Sequence, residues 1–350
     1  MIKKIGIGVF ILALVVAALN YETITGWLFS AKTINTTEAR LLIKEDPTVE
    51  ELVDILHAKE IISDKEEAIS IAQDLQLKDD ELEGGKYIIA PKGKIKDVLL
   101  GFKRGEDGKG RDEVLVNVIF NTCRDLNDVA KSVSVCIAAD SASLFDYMVA
   151  PETLSKYGFT REQMPAIILP KQYEMEFDTN AEDFLAFMAS KFKEFWTEER
   201  MQKLRLVGLS SQSQAVTVAS IVYSEQGKVQ DEWPIIAGLY LNRVKKGMKL
   251  KSDPTFKFCW GHELDNVQVL TGKHRDIDCP YNTYKINGLP PGPICITPAK
   301  VVDAVLNRAD VDYIYMCAKP DYSGEHNFTA SDTQHIKNAK AYQKWIRTQI

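Results

Sequence analysis

Apolar and polar residues alternate with different periods along the chain, and each period predicts an element. Residues 5–19, IGIGVFILALVVAAL, form an apolar run without a charge. Further on, VEELVDIL places Val49, Leu52, Val53, Ile55 and Leu56 at helical spacing behind Pro47-Thr48, a helix-start signal. The Gly84-Gly85 turn introduces a short strand, KYIIA, and then a helix, KIKDVLLGF. VLVNVIF, residues 114–120, alternates as a strand does. Three amphipathic stretches follow: DLNDVAKSV, DSASLFDYM and the long run 180–210. Phe184, Phe187, Met188, Phe192 and Phe195 line one face of that run, a pattern that belongs to a core.

Helical periods return over 215–225 and 234–246, the latter with Ile235, Ile236, Leu239 and Tyr240 as its apolar positions. They then fade. GMKLKSDPTFKF, YNTYKINGLPPGPICITP and YIYMCAKPDYSGEHNF hold prolines and glycines that demand fixed turns. Tyr-, Asn- and Asp-rich loops on a helical scaffold are where binding sites form, and aromatic faces with amides suit a sugar polymer.

One position breaks the pattern. Val218, Ile221 and Val222 precede Glu225 by seven, four and three residues, so all four share a helical stripe. A carboxylate ending an apolar stripe is either a surface residue at a fraying helix end or a half-buried acid with a chemical task.

Composition narrows the choices. The 350 residues are 45% hydrophobic and 26% charged, enough for packed domains and against wholesale disorder. The net charge of -6 argues against nucleic acid as a ligand, because phosphate binders are normally basic. Cys123, Cys136, Cys259, Cys279, Cys295 and Cys317 form no CxxC pair and read as buried thiols; their even number leaves disulfides open in an exported chain. The five histidines are dispersed without an HExxH, so neither a metal nor another cofactor is expected. As a helix the 5–19 run is roughly 22 Å long, and Tyr21 and Trp27 extend it into the headgroup region. Lys3 and Lys4 would stay cytoplasmic. The expectation is an uncleaved anchor, with a cleaved signal peptide as the rival reading.

Four strings resemble the endolytic murein transglycosylases, the YceG-like family: ASIVYSE, IIAGLYLNRVKKGMKLKSDPT, YNTYKINGLPPGPI and YIYMCAKPDYSGEHNF. ILPKQYEMEFDTNAEDFL is a weaker match upstream. The chain departs from the family pattern at Ile296, Thr297 and Pro298, and at Lys171 and Gln172. The resemblance implies an α+β, multi-domain chain: a transmembrane anchor with its flank at 1–30, a small LysM-like module at 41–105, and a YceG-like lytic transglycosylase domain at 106–350 with its catalytic core at about 205–350. It implies a single-pass protein of the bacterial inner membrane with its catalytic domain in the periplasm. Peptidoglycan strands are the implied substrate and peptidoglycan synthases (penicillin-binding proteins) the implied partners.

Glu225 falls on the family's catalytic glutamate, and Tyr223 stands where that motif commonly has another acid. The implied reaction cleaves the β-1,4 bond between MurNAc and GlcNAc inside nascent strands, leaves 1,6-anhydro-MurNAc ends and limits strand length. A single acid serves, because the MurNAc C6 hydroxyl is a tethered nucleophile. Asp253, in KSDPT, is expected to organise a turn, with substrate contact or charge tuning second. Asn242 and Arg243 are candidates for substrate contact, and Arg243 also for orienting Glu225. Tyr281, Asn282, Thr283 and Tyr284 are expected to line the groove, Pro290 and Gly292 to shape its loop, and His326 and Phe328 to close its far wall, with a catalytic histidine as the second reading of His326. Two other readings stay open: a hydrolase pairing Glu225 with Asp253, and a non-catalytic glycan-binding scaffold.

Overall fold

The computed structural model describes residues 31–106, 110–120, 123–264 and 272–349. The apolar run 5–19 lies outside these; among the described residues no helix is long and apolar enough to cross a membrane. The fold is mixed α+β, and the chain divides into two compact units: residues 1–116 with 174–178, and residues 117–173 with 179–350.

In the first unit β1 (Ala39–Ile43) pairs antiparallel with β2 (Gly85–Ile89), Leu41 opposite Tyr87. Between them run α1 (Val49–Ala58) and α2 (Lys65–Asp74), and α3 (Ile95–Gly101) comes after β2. Thr48 starts α1 with a capping box: its hydroxyl accepts the Glu51 N–H while the Glu51 carboxylate accepts the Thr48 N–H. Asp64 caps α2. Leu41, Leu52, Val53, Leu56, Tyr87, Leu99 and Phe102 close one core, to which α2 adds Ala68 and Ala72. The helix and strand expected at 49–56 and 86–90 are present; β1 and α2 are additional.

The second unit is mainly helical. Its first part holds α4 (Leu126–Ser134), α5 (Ser141–Val149), α6 (Pro151–Tyr157), α7 (Ala181–Phe195) and α8 (Glu198–Leu206). The aromatic stripe of α7 is core as expected, with Phe184, Met188 and Phe192 buried. The chain crosses between the units within β3 (Val116–Ile119) and β4 (Gln172–Met175). At the centre lies α9 (Gln212–Glu225), packed against α10 (Trp233–Lys245), α11 (Asp253–Trp260) and α13 (Ala299–Leu306), with the short α12 (Gly272–Arg275) between the last two. The expected stripe of α9 is wider than one face: Ala215 through Val222 are all buried. Its small residues let neighbours approach from every side. After α13, β5 (Tyr315–Ala318) and β6 (His326–Thr329) form an antiparallel hairpin backed by α14 (Asp332–Ile346).

The proline-rich run before α13 is pinned to α9. Ser220 accepts the Ile294 N–H at 3.0 Å and donates to the Thr217 carbonyl. Pro290 is buried, and a Cβ on Gly292 would lie 1.8 Å from the Glu162 carbonyl oxygen, so only glycine lets the backbones meet there. Cys259 and Cys279 form a disulfide, correcting the expectation of thiols at those two positions; it ties α11 to the segment ahead of YNTY. Cys123, Cys136, Cys295 and Cys317 are thiols.

Candidate active site

Glu225 is the last residue of α9, and its neighbour Gln226 is fixed on every side. Gln226 is buried and leaves the helix at φ -137°. Its amide nitrogen donates to Glu232 and to the Gly324 carbonyl, and its amide oxygen accepts the N–H groups of Lys228 and Val229. Its main-chain carbonyl accepts the Trp233 indole N–H at 2.6 Å. A buried amide with every group satisfied permits one conformation.

The Glu225 carboxyl is half-buried, and its Oε1 accepts two hydroxyls: Tyr240 from α10 at 2.6 Å and Ser252 from the start of α11 at 2.5 Å. Among the described residues Oε2 has no hydrogen-bond partner. Burial raises the Glu225 pKa; the Ser252 and Tyr240 hydrogen bonds oppose the rise, the Asp253 charge adds to it, His326 subtracts, and the net direction is up. Burial and the Glu225 charge also hold Tyr240 well above the ordinary phenol range, so it stays a donor. Two donors on Oε1 make it the carbonyl-like oxygen of the neutral acid. The transferable proton therefore belongs on Oε2.

Ser252 is held by the next layer. Its N–H donates to the Thr283 hydroxyl at 2.9 Å, its carbonyl accepts from Thr255, and the Thr255 and Thr283 hydroxyls lie 2.8 Å apart. Thr283 is fully buried, as is Asn282, whose amide donates to the Arg275 and Ile277 carbonyls. Both are expected in the groove lining from sequence; the fold uses them as framework, because their short polar side chains satisfy buried backbone groups. The flanking tyrosines remain partly accessible. Tyr281 lies 4.7 Å from the Phe258 ring, its phenol pushed up to about 12 by burial, and Tyr284 donates to Asp253 at 2.5 Å.

Asp253 opens α11 rather than a free turn, and Arg275 approaches its second oxygen at 3.6 Å. The Asn242 amide donates to the Val311 and Tyr313 carbonyls, and the Arg243 guanidinium to those of Ile314 and Leu250. Arg243 thus fastens loops instead of orienting Glu225. Phe328 stacks on Tyr313 at 6.0 Å. His326 is gripped by Glu232, which lies 2.7 Å from both its N–H and its Nδ1.

A cavity of about 550 Å³ lies beside the end of α9, lined by Tyr223, Ser224, Gly227, Lys257, Phe258 and Cys295 among others. A second, of about 460 Å³, shares Arg124 and Phe258 with it and reaches Tyr281 and Pro293. Sequence reasoning misses Tyr240, Ser252 and Glu232. Tyr240 reads as an apolar position, Ser252 is hidden beside Asp253, and nothing in QDEW marks a buried acid.

A model of the YceG-like family matches residues 41–341. The chain belongs to the YceG-like family. Among its relatives is the endolytic murein transglycosylase of Bacillus subtilis (strain 168), 32% identical over 199 residues, 55% of this chain and 52% of the relative. The endolytic murein transglycosylase of Streptococcus pneumoniae (serotype 2, strain D39) is 23% identical over 284 residues, 74% of this chain and 50% of that one. This YceG-like chain therefore spans about half the length of the curated relatives it matches. A crystal structure of a yceG-like protein from Listeria monocytogenes shares the fold with a TM-score of 0.54 at 22% identity, covering 87% of this chain and 99% of the other.

Proposed function

We propose that this YceG-like chain is an endolytic peptidoglycan lytic transglycosylase in which Glu225 is the sole acid and base. The observation that carries the reading is the Glu225 carboxyl itself: half-buried, raised in pKa, with Oε1 fixed by two hydroxyls and Oε2 left for a proton. Oε2–H protonates the oxygen leaving MurNAc C1, and the C1–O bond to GlcNAc breaks. The MurNAc C6 hydroxyl then attacks C1, closing the 1,6-anhydro ring and returning its proton to Glu225. No water is consumed. Tyr281, Tyr284 and Phe258 offer ring faces to the sugars, Asn282 and Thr283 hold the segment that carries the two tyrosines, and Asn242 and Arg243 fasten residues 311–314 and Leu250. The names of the relatives, which describe endolytic murein transglycosylases, support the same reaction class.

In this reading residues 1–30 anchor the chain in the inner membrane, residues 41–105 are a LysM-like aid to glycan binding, and the remainder works in the periplasm beside peptidoglycan synthases, limiting strand length. The strand–helix–helix–strand order of β1, α1, α2 and β2 supports the module assignment. A two-carboxylate hydrolase is the competing reading, favoured by the Asp253 charge acting on Glu225. Digestion of purified glycan strands with mass analysis decides between them. Anhydro ends, lighter by one water than reducing ends, are expected, and reducing ends would assign the hydrolase.

A further inference from the structure

The proposed reaction leaves one buried acid near Glu225 without a task. Glu232, immediately before α10, is 7% exposed. Three donors converge on it. Its Oε1 accepts the His326 main-chain N–H at 2.7 Å, and its Oε2 lies 2.7 Å from His326 Nδ1 and accepts the Gln226 amide at 2.8 Å. Burying a carboxylate is costly, and joining two loops does not by itself call for one. A glutamine, however, would turn an NH2 donor toward one of these three donors. An ionised carboxylate accepts only, so all three are met. The consequence falls on the imidazole. With the carboxylate at Nδ1, that nitrogen carries the hydrogen, and Nε2 is the ring's remaining polar atom. The same Gln226 comes directly after Glu225 in the chain and also bonds the Gly324 carbonyl, so one cluster sets both the end of α9 and the start of β6.

We propose that Glu232 is a positioning residue for glycan cleavage that works through His326, holding the ring by its Nδ1–H and so presenting Nε2 to the sugar that Glu225 protonates. The proposal rests on the reading of Glu225 as the acid. Carboxylates that orient metal-ligating histidines are worth roughly 10–100-fold in affinity or activity, and the lower end of that range is taken as the expected effect here.

A double-mutant cycle on purified glycan strands tests it, using the full chain, with Glu232→Gln, His326→Asn and their combination. Glu232→Gln is expected to lower kcat by about tenfold with KM changed less than about twofold. In the His326→Asn background the same change is expected to cost less than about twofold. Glu232→Asp, which keeps an acceptor-only group, is expected to recover part of the rate. Thermal melts accompany each variant; if Glu232→Gln does not fold, Glu232→Asp takes its place in the cycle. An equal loss in both backgrounds would make Glu232 a structural clamp alone and overturn the proposal, as would full activity of Glu232→Gln. Failure of the reaction itself is read separately, from whether the unaltered chain yields anhydro ends in the same digest.

Discussion

Glu113 in the first unit and Glu225 in the second are both carboxyl groups that burial pushes up in pKa, yet their surroundings are opposite. Glu113 reaches about 8, through burial first and the Asp178 charge next. Its Oε1 accepts the main-chain N–H of Phe177 at 3.0 Å, and a Cβ on Gly85 would lie 2.6 Å from that oxygen. That site is filled. Among the described residues the other Glu113 oxygen is buried without a hydrogen-bond partner, whereas Glu225 stands at the end of a helix whose neighbouring residues Tyr223, Ser224 and Gly227 line an open cavity. A raised pKa therefore marks burial alone; what separates the two acids is the cavity lined by the residues on either side of Glu225.

The sharpest test is Glu225→Gln, which keeps shape and removes the proton. Turnover of glycan strands should fall by roughly 10²–10⁴-fold while the melting temperature holds. Near-full activity would place the acid elsewhere.

The hydroxyl partners should come next. Tyr240→Phe and Ser252→Ala each remove a hydrogen bond that favours the carboxylate, so the Glu225 pKa should rise further. The alkaline limb of the kcat/KM profile should then move to higher pH, with turnover down by on the order of tenfold from lost positioning. A limb that stays in place would mean these hydroxyls do not act on Glu225.

Asp253→Asn should have a smaller effect of opposite sign. Its charge raises the Glu225 pKa, so its loss should draw the alkaline limb toward lower pH, with a turnover change below about tenfold. A dead Asp253→Asn with intact folding would instead favour the two-carboxylate hydrolase.

Glu113→Gln should leave turnover unchanged and alter only stability. The folded chain holds the Glu113 proton up to about pH 8, while an unfolded chain releases it near the ordinary value of 4.5. Between those values the folded state binds more protons, so this group's stabilising contribution is full at low pH and is lost as pH rises. The variant should melt higher than the parent at pH 8, and the difference should shrink at pH 5. Melting curves at the two pH values check it; a loss of turnover would erase the contrast between the two acids.

Much of this is legible in the residues. Periodicity locates α1, α3, α7, α9 and α10, because a helix that buries a face must repeat its apolar residues every three to four positions. The same regularity makes Glu225 conspicuous as the position where it fails. β1 and α2 are not legible. The five residues of β1 are too few for a period to register, and α2 buries only Ala68 and Ala72, which leave little amphipathic signal.

What the tertiary structure alone decided is the partnership around each polar side chain. Tyr240 and Ser252 lie 15 and 27 positions beyond Glu225, and they meet its Oε1 only because α9, α10 and α11 pack together. Asn282 and Thr283 look like groove residues in a YNTY string; they are framework because an N–H arrives from 252, a hydroxyl from 255 and carbonyls from 275 and 277. The Cys259–Cys279 pairing and the Glu232–His326 contact have the same origin. A hydrophobic period is local and is written along the chain. A hydrogen bond between distant side chains depends on ångström-level placement by the whole fold, and no spacing in the sequence encodes it.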